Sequence, residues 1–275
     1  MSPCLEVEEF DLAATLQSGQ VFHWECRDGV WHGLDGENLL VVQQESKNKL
    51  RILHGKEARV RRYFALDHPM EAIYRSFPKD PFTKAAVRQC RGLRILRQPI
   101  WECLATFLFS SMKQVSHIRT ISLRLREKFG RPVKGSPVAA FPGAQVLADC
   151  RADELRKYGL GYRAEYLAAT ARAVAEGRPN LTGLRKLGND ALCGQLCQLP
   201  GVGPKIAACV MLFAYERLDA VPVDVWIDRV LEHQTGSRMP SKDRLAFLQS
   251  LGQHAGYLQQ YWFHHARVHR ALATA

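Results

Sequence analysis

The sequence predicts an α+β fold, with an antiparallel sheet at the N-terminus followed by a mostly helical body. Three observations predict it. The first third of the chain is a series of short segments rich in β-forming residues and separated by turn signals. From about Pro69 onward, apolar residues recur at helical spacing instead. The helical stretches are punctuated by Gly130, Pro132, Gly135, Pro137 and Gly177-Arg178-Pro179, where helices stop and loops begin.

Taken in order, strands are expected at 21–26, 30–34, 38–43 and 49–54. Arg27-Asp28-Gly29 and Asp35-Gly36 are tight-turn signals, so the sheet should grow from sequential hairpins. Helices are expected at 100–114, 118–129, 153–158, 164–176 and 191–199. No internal repeat or low-complexity linker interrupts the pattern. The expected division is an antiparallel β domain over 1–82 and a helical body over 83–275.

Composition narrows the function classes. The chain of 275 residues carries 38 Lys and Arg against 27 Asp and Glu, a formal charge of +11. That excess favours a polyanionic partner, because each cation docked on a phosphate releases condensed counterions. No apolar run is long enough to span a bilayer, and the acidic N-terminus MSPCLEVEEF does not read as a secretion signal. The eight cysteines lack the dense spacing of a secreted disulfide scaffold, so a reducing, soluble compartment is expected. Cys193 and Cys197 have no further Cys or His beside them to complete a tetrahedral zinc site and read as helix-packing residues. His264, His265 and His269 lack a nearby carboxylate or thiol and read as a partly cationic flank. No metal site is expected. The basic runs at 59–62 and 124–134 read mainly as solvated helix faces.

The chemistry is concentrated in LPGVGPKIAACVMLFAYERLDAVPVDVW, residues 199–226. One helix ends near Leu199, Pro200-Gly201-Val202-Gly203 forces a tight turn, and Pro204 suits the first position of the next helix. Gly201, Val202 and Gly203 should point backbone N–H groups outward beside that helix N-terminus, a place for a phosphate. This is a helix-hairpin-helix pattern, expected over about 191–226. Lys205 falls in the first turn of the second helix, where the helix dipole disfavours a cation and favours the neutral amine. Asp224 precedes a helix and is a good N-cap; a carboxylate there also stabilises positive charge developing on a sugar.

With SGQVFHW (18–24), LRQPIWECLATFLFSS (96–111), GLGYRAEY (159–166) and AGYLQQYWF (255–263), this segment resembles the helix-hairpin-helix, Gly/Pro-Asp superfamily of DNA glycosylases. Within it, the chain is similar to the eukaryotic-type 8-oxoguanine DNA glycosylase/lyases. The resemblance implies a monomer acting on double-stranded DNA that contains 8-oxoguanine, with no iron–sulfur cluster, since no Cys follows Cys209. At most, a monovalent cation sits on the hairpin carbonyls. Lys205 matches the lysine that attacks C1′ and forms a Schiff base, which permits β-elimination; Asp224 matches the motif carboxylate that orients or deprotonates it. Gly19 matches the glycine whose carbonyl accepts the N7–H proton that distinguishes 8-oxoguanine from guanine. Cys209 and Phe263 match the residues that sandwich the flipped base, and Gln259 the amide that reads its Watson–Crick edge. In isolation Cys209 and Phe263 read as core residues, Gln259 as a surface residue and Gly19 as a turn glycine. Their joint occurrence favours the functional reading.

Three positions depart from the family pattern. Met112 stands where the family's asparagine fills the gap left by the base; an apolar wedge still enters a stack but makes no hydrogen bonds to the orphaned base. His117 replaces an arginine that contacts the opposite cytosine, whereas Arg163 retains a second such arginine beside the wedge residue Tyr162. Trp226 replaces a phosphate-touching histidine. Two other readings stay open on the sequence: an alkylated-purine glycosylase, suggested by Trp226 and disfavoured by Lys205, and a non-catalytic helix-hairpin-helix binding module, disfavoured by Lys205 and Asp224 together.

Overall fold

The computed structural model describes residues 3–269. Five strands form one antiparallel sheet: β1 (Cys4–Glu6), β2 (Glu25–Arg27), β3 (Val30–Asp35), β4 (Asn38–Ser46) and β5 (Lys49–His54), in the order β1-β5-β4-β3-β2. From β2 to β5 the sheet is a meander of hairpins, as the turn signals predict. The added edge strand β1 pairs Cys4 with Arg51 and Leu5 with Leu50; three residues are too few for a period-two signal.

The strand expected at 21–26 is corrected: only its end joins the ladder, as β2. Val21, Phe22 and Trp24 are buried in the core rather than alternating across a sheet face. His23 makes the link that a backbone ladder would otherwise make, its Nε2 lying 2.9 Å from the Leu34 carbonyl and 3.1 Å from the Leu34 amide nitrogen. Tertiary burial here overrides β-propensity.

The helices follow as α1 (Leu12–Gln17), α2 (Glu57–Tyr63), α3 (Met70–Ser76), α4 (Pro81–Cys90), α5 (Ile100–Leu108), α6 (Val115–Phe129), α7 (Ala144–Ala148) and α8 (Ala152–Leu155). After a π-helical turn (Arg156–Leu160) come α9 (Arg163–Ala175), α10 (Asn189–Cys197), α11 (Pro204–Ala214), α12 (Val225–Thr235), α13 (Ser241–Ser250) and α14 (Ala255–His269). The helix expected over 100–114 stops at Leu108. Ser110 Oγ folds back to the Phe107 carbonyl at 2.8 Å, and Met112, at φ +60°, cannot continue a right-handed helix. None of the described helices is long and apolar enough to cross a membrane. The side chain of His269 lies outside the described residues.

One apolar cluster joins the sheet to α1 and α2 through Leu12, Leu16, Val60, Tyr63 and Phe64. A second, larger cluster fills the helical body, with Tyr257, Tyr261 and Trp262 of α14 at its centre. Trp262 Nε1 donates to Thr83 Oγ1 at 2.9 Å and Tyr261 Oη to the Leu93 carbonyl at 3.0 Å, so α14 is fixed against the segments around it. A buried polar seam ties the sheet side to the body: Glu102 of α5 pairs with Arg126 of α6 and lies 3.2 Å from His23 Nδ1.

Candidate active site

The hairpin is built locally. α10 ends at Cys197, the Val202 amide donates to the Leu199 carbonyl at 3.0 Å, and Pro204 opens α11. This closure corrects one expectation: the Val202 N–H works inside the turn and is not an outward phosphate donor. Gly201 sits at φ +77°, and a Cβ there would fall 2.6 Å from Tyr166 Cβ, so side-chain-free backbone is required where the hairpin crosses α9. A Cβ on Gly203 would meet nothing within 4 Å, which leaves that side of the helix N-terminus open to an anion.

Lys205, one residue inside α11, is partly buried. Its Nζ donates to Ser110 Oγ at 3.4 Å and lies 5.6 Å from the centroid of the Phe107 ring. Phe107 is in turn stacked on Phe213 of α11, with centroids 5.4 Å apart and planes at 13°. Cys209, one turn along α11, is buried; burial pushes its thiol up to about 11, against the opposing charge of Lys205 and a hydrogen bond with it. Cys209 therefore stays a neutral, polarisable surface beside the amine. Asp224 caps α12, its Oδ1 accepting from the Trp226 and Ile227 amides at 3.0 Å each. Burial raises its carboxyl above the ordinary range, while those N–H groups and the Lys205 charge pull the other way. Both cap bonds fall on Oδ1, so Oδ2 makes no cap bond. Lys205, Cys209 and Asp224 thus form one electrostatically coupled group.

Three of the expected base-recognition residues, Gly19, Gln259 and Phe263, lie on or against α14, while Cys209 stays on α11. Gly19 adopts φ +84°, and a Cβ on it would lie 3.2 Å from Phe263 Cε1 and from Val115 Cγ2. Gly19 and Phe263 are therefore brought into contact from positions far apart in the chain. Gln259, rather than facing solvent, is buried, and its Oε1 has no hydrogen-bond partner. A buried amide oxygen in that state fits a polar ligand edge.

The wedge residues converge separately. Met112 is 92% exposed and Tyr162 61% exposed, the two largest such apolar exposures in the described chain. Arg163 is largely buried, its guanidinium 4.4 Å from the centre of the Tyr162 ring. Burial and the Arg163 charge hold Lys113 below the usual lysine range. A Cβ on Gly159 would lie 3.6 Å from His117 Nε2, so His117 of α6 lies against the turn that precedes Tyr162 and Arg163.

A family profile described as the N-terminal domain of 8-oxoguanine DNA glycosylase matches residues 4–104. The N-glycosylase/DNA lyase OGG1 of Arabidopsis thaliana is 30% identical over 93% of this chain and 77% of that protein. The chain belongs to the 8-oxoguanine DNA glycosylase/lyase family. The N-glycosylase/DNA lyase of Saccharomyces cerevisiae is also 30% identical, over 81% of this chain and 67% of its own length. Among solved structures, MBOgg1 in complex with a low-affinity DNA ligand matches with a TM-score of 0.90 at 31% identity, over 96% of this chain and 94% of that one. The Clostridium acetobutylicum 8-oxoguanine glycosylase/lyase, bound to double-stranded DNA with cytosine opposite 8-oxoG, matches with a TM-score of 0.88 at 27% identity over 98% of both chains.

Within this family member, several site residues escape the sequence. Ser110 lies in a quoted motif but carries no local signal for contact with Lys205. Gln20 looks like any polar residue, yet its buried amide donates to the carbonyls of Thr15 and Arg94 and to Ser18 Oγ. Gln260 and Arg267 reach the same loop from α14. No local pattern marks them, because their partners lie at the other end of the chain.

Proposed function

We propose that this chain is a bifunctional DNA glycosylase/AP lyase that flips 8-oxoguanine and related oxidised purines out of duplex DNA and excises them. The observation that carries the reading is the partly buried Lys205 amine, held against Ser110 and Phe107 behind an open glycine hairpin, with Asp224 capping the next helix. Binding modules need the hairpin but not a partly buried amine with a half-buried carboxylate in its electrostatic reach.

In this reading the Lys205 amine bonds through its lone pair to C1′ of the flipped nucleotide, and the C1′–N9 bond breaks, its electron pair leaving with the base. While ionised, Asp224 orients the amine and offsets the cation developing on the sugar; it then accepts the proton from the nitrogen newly bonded to C1′ and passes it to the departing base. The base leaves protonated. The C1′–O4′ bond then breaks, O4′ takes up a proton and the Lys205 nitrogen forms a protonated Schiff base to C1′; loss of a C2′ proton sends an electron pair toward C3′ and expels the 3′ phosphate. Gly19, Cys209, Gln259 and Phe263 form the base pocket, while Met112 and Tyr162 hold the gap in the stack, with His117 and Arg163 near the opposite base.

Gly201 and Gly203 supply the phosphate contact, and Val202 anchors the turn between them. The hairpin carbonyls fit a monovalent cation: those of Leu199, Pro200 and Gly203 each accept a single hydrogen bond and keep a second lone pair. Such an ion would stiffen the phosphate contact, and no bond-breaking step passes through it.

Incubation with an 8-oxoguanine duplex followed by borohydride reduction tests the assignment. The wild-type chain should be fixed covalently to DNA, and Lys205→Gln should lose both the adduct and base release. A Lys205→Gln protein with intact excision would overturn the mechanism.

A further inference from the structure

We propose that Gln260 and Arg267 form a clamp that fixes the gap between Gly19 and Phe263, making them positioning residues for base excision. This rests on the reading of Gly19 and Phe263 as walls of the base pocket.

Gln260, Phe263 and Arg267 follow one another on α14 at spacings of three and four, and so share one face of the helix. The two outer residues hook consecutive carbonyls of the segment leading into Gly19. Gln260 Nε2 donates to the Ser18 carbonyl at 3.0 Å, in a buried setting, and Arg267 donates to the Gln17 carbonyl at 2.6 Å. Those carbonyls lie at the end of α1, where no further helical turn supplies donors. Between the hooks stands Phe263. The Arg267 guanidinium lies 5.6 Å from its ring centroid, and the ring edge meets Gly19 on the other side. A third anchor comes from within the loop, where the Gln20 side chain donates to Thr15, Ser18 and Arg94, and Gln98 donates to the Gln20 carbonyl at 2.8 Å.

The consequence follows from the backbone. Gly19 at φ +84° has no side chain to hold its peptide in place, and its carbonyl direction is set by its neighbours. Residues 17 and 18 are held by the clamp and residue 20 by its own amide, so that carbonyl is held from both sides. Telling an N–H from a lone pair on a purine edge depends on the carbonyl staying in place. The remaining attachments of α14, through Tyr261 and Trp262, keep the helix docked without the clamp. The role assigned to Gln260 and Arg267 is therefore alignment of the slot rather than maintenance of the fold.

The test compares two substrates in single-turnover assays: a duplex with 8-oxoguanine, and one with a preformed abasic site that has no base to seat. Arg267→Met and Gln260→Leu should each slow excision of the base about 10-fold, as misalignment of a reacting group does, and leave abasic-site cleavage within about twofold. Arg267→Lys, which keeps a donor for Gln17, should recover part of the loss. Equal losses on both substrates, or no loss on the lesion duplex, would overturn the clamp while leaving the glycosylase reading intact. A wild-type chain that cleaves abasic DNA and leaves 8-oxoguanine in place would instead overturn the pocket reading, and the clamp with it.

Discussion

Lys205 Nζ donates to the Ser110 hydroxyl across 3.4 Å, joining the first turn of α11 to the turn that follows α5. Ser110 directs its own proton to the Phe107 carbonyl, so its oxygen lone pairs face the amine. Ser110→Ala removes this acceptor together with the bond to the Phe107 carbonyl. A hydrogen bond of this length contributes about 0.5–1.5 kcal/mol, so base excision should slow by about two- to tenfold. Single-turnover rates and duplex affinity measured together check it: the rate should fall and the affinity should hold.

Asp224 separates a structural role from a chemical one. Asparagine caps helices as well as aspartate does, so Asp224→Asn keeps α12 while removing the charge. The folded carboxyl is raised by burial above its unfolded value. Its favourable contribution is therefore full below the unfolded carboxylate range and is lost as pH rises through the folded value. Asp224→Asn should equal or exceed wild type in Tm at neutral pH, with the difference vanishing below about pH 4, and should lose excision. Asp224→Ala should lose excision and also about 1 kcal/mol of stability. Melting curves across pH, paired with borohydride trapping, check both.

Gly201 faces Tyr166 at a distance no Cβ tolerates, in a left-handed conformation. Gly201→Ala should cost at least about 1–2 kcal/mol from the backbone alone and displace the hairpin from α9. The expected readout is weaker binding to any duplex, lesion-bearing or not, with a shallower dependence on salt. Fluorescence anisotropy over a salt series checks it.

At the wedge, His117 and the exposed Met112 stand where two polar readers are expected of the family. A bidentate contact to a base is worth about 1–3 kcal/mol of discrimination, and neither side chain makes one. Excision opposite cytosine, adenine, guanine and thymine should therefore agree within about tenfold. His117→Arg should raise the preference for cytosine. A strong cytosine preference in the wild-type chain would reject this view of the wedge.

Glu102 holds Arg126 and His23 together inside the fold. Glu102→Ala leaves a buried guanidinium without its counter-charge and should destabilise by about 3–5 kcal/mol. Chemical denaturation checks it, and Arg126→Met with Glu102→Ala should recover much of the loss.

The sequence alone determined the class of fold, most of the strands and helices, and the hairpin with Lys205 and Asp224. Each rests on a signal confined to neighbouring residues: period-two or helical spacing, a Gly-Pro turn, an N-cap. What lay outside such signals was decided by tertiary packing. Val21–Trp24 left the ladder because their side chains fill the core, and α5 ended early because Ser110 and Met112 turn the chain toward Lys205. The contact of Gly19 with Phe263 and the hooks of Gln260 and Arg267 on the first helix depend on partners more than 200 residues apart, 242 for Gln260 and 250 for Arg267. Hydrogen bonding and burial at such distances acquire a value only once the chain has closed, and no short-range pattern records them.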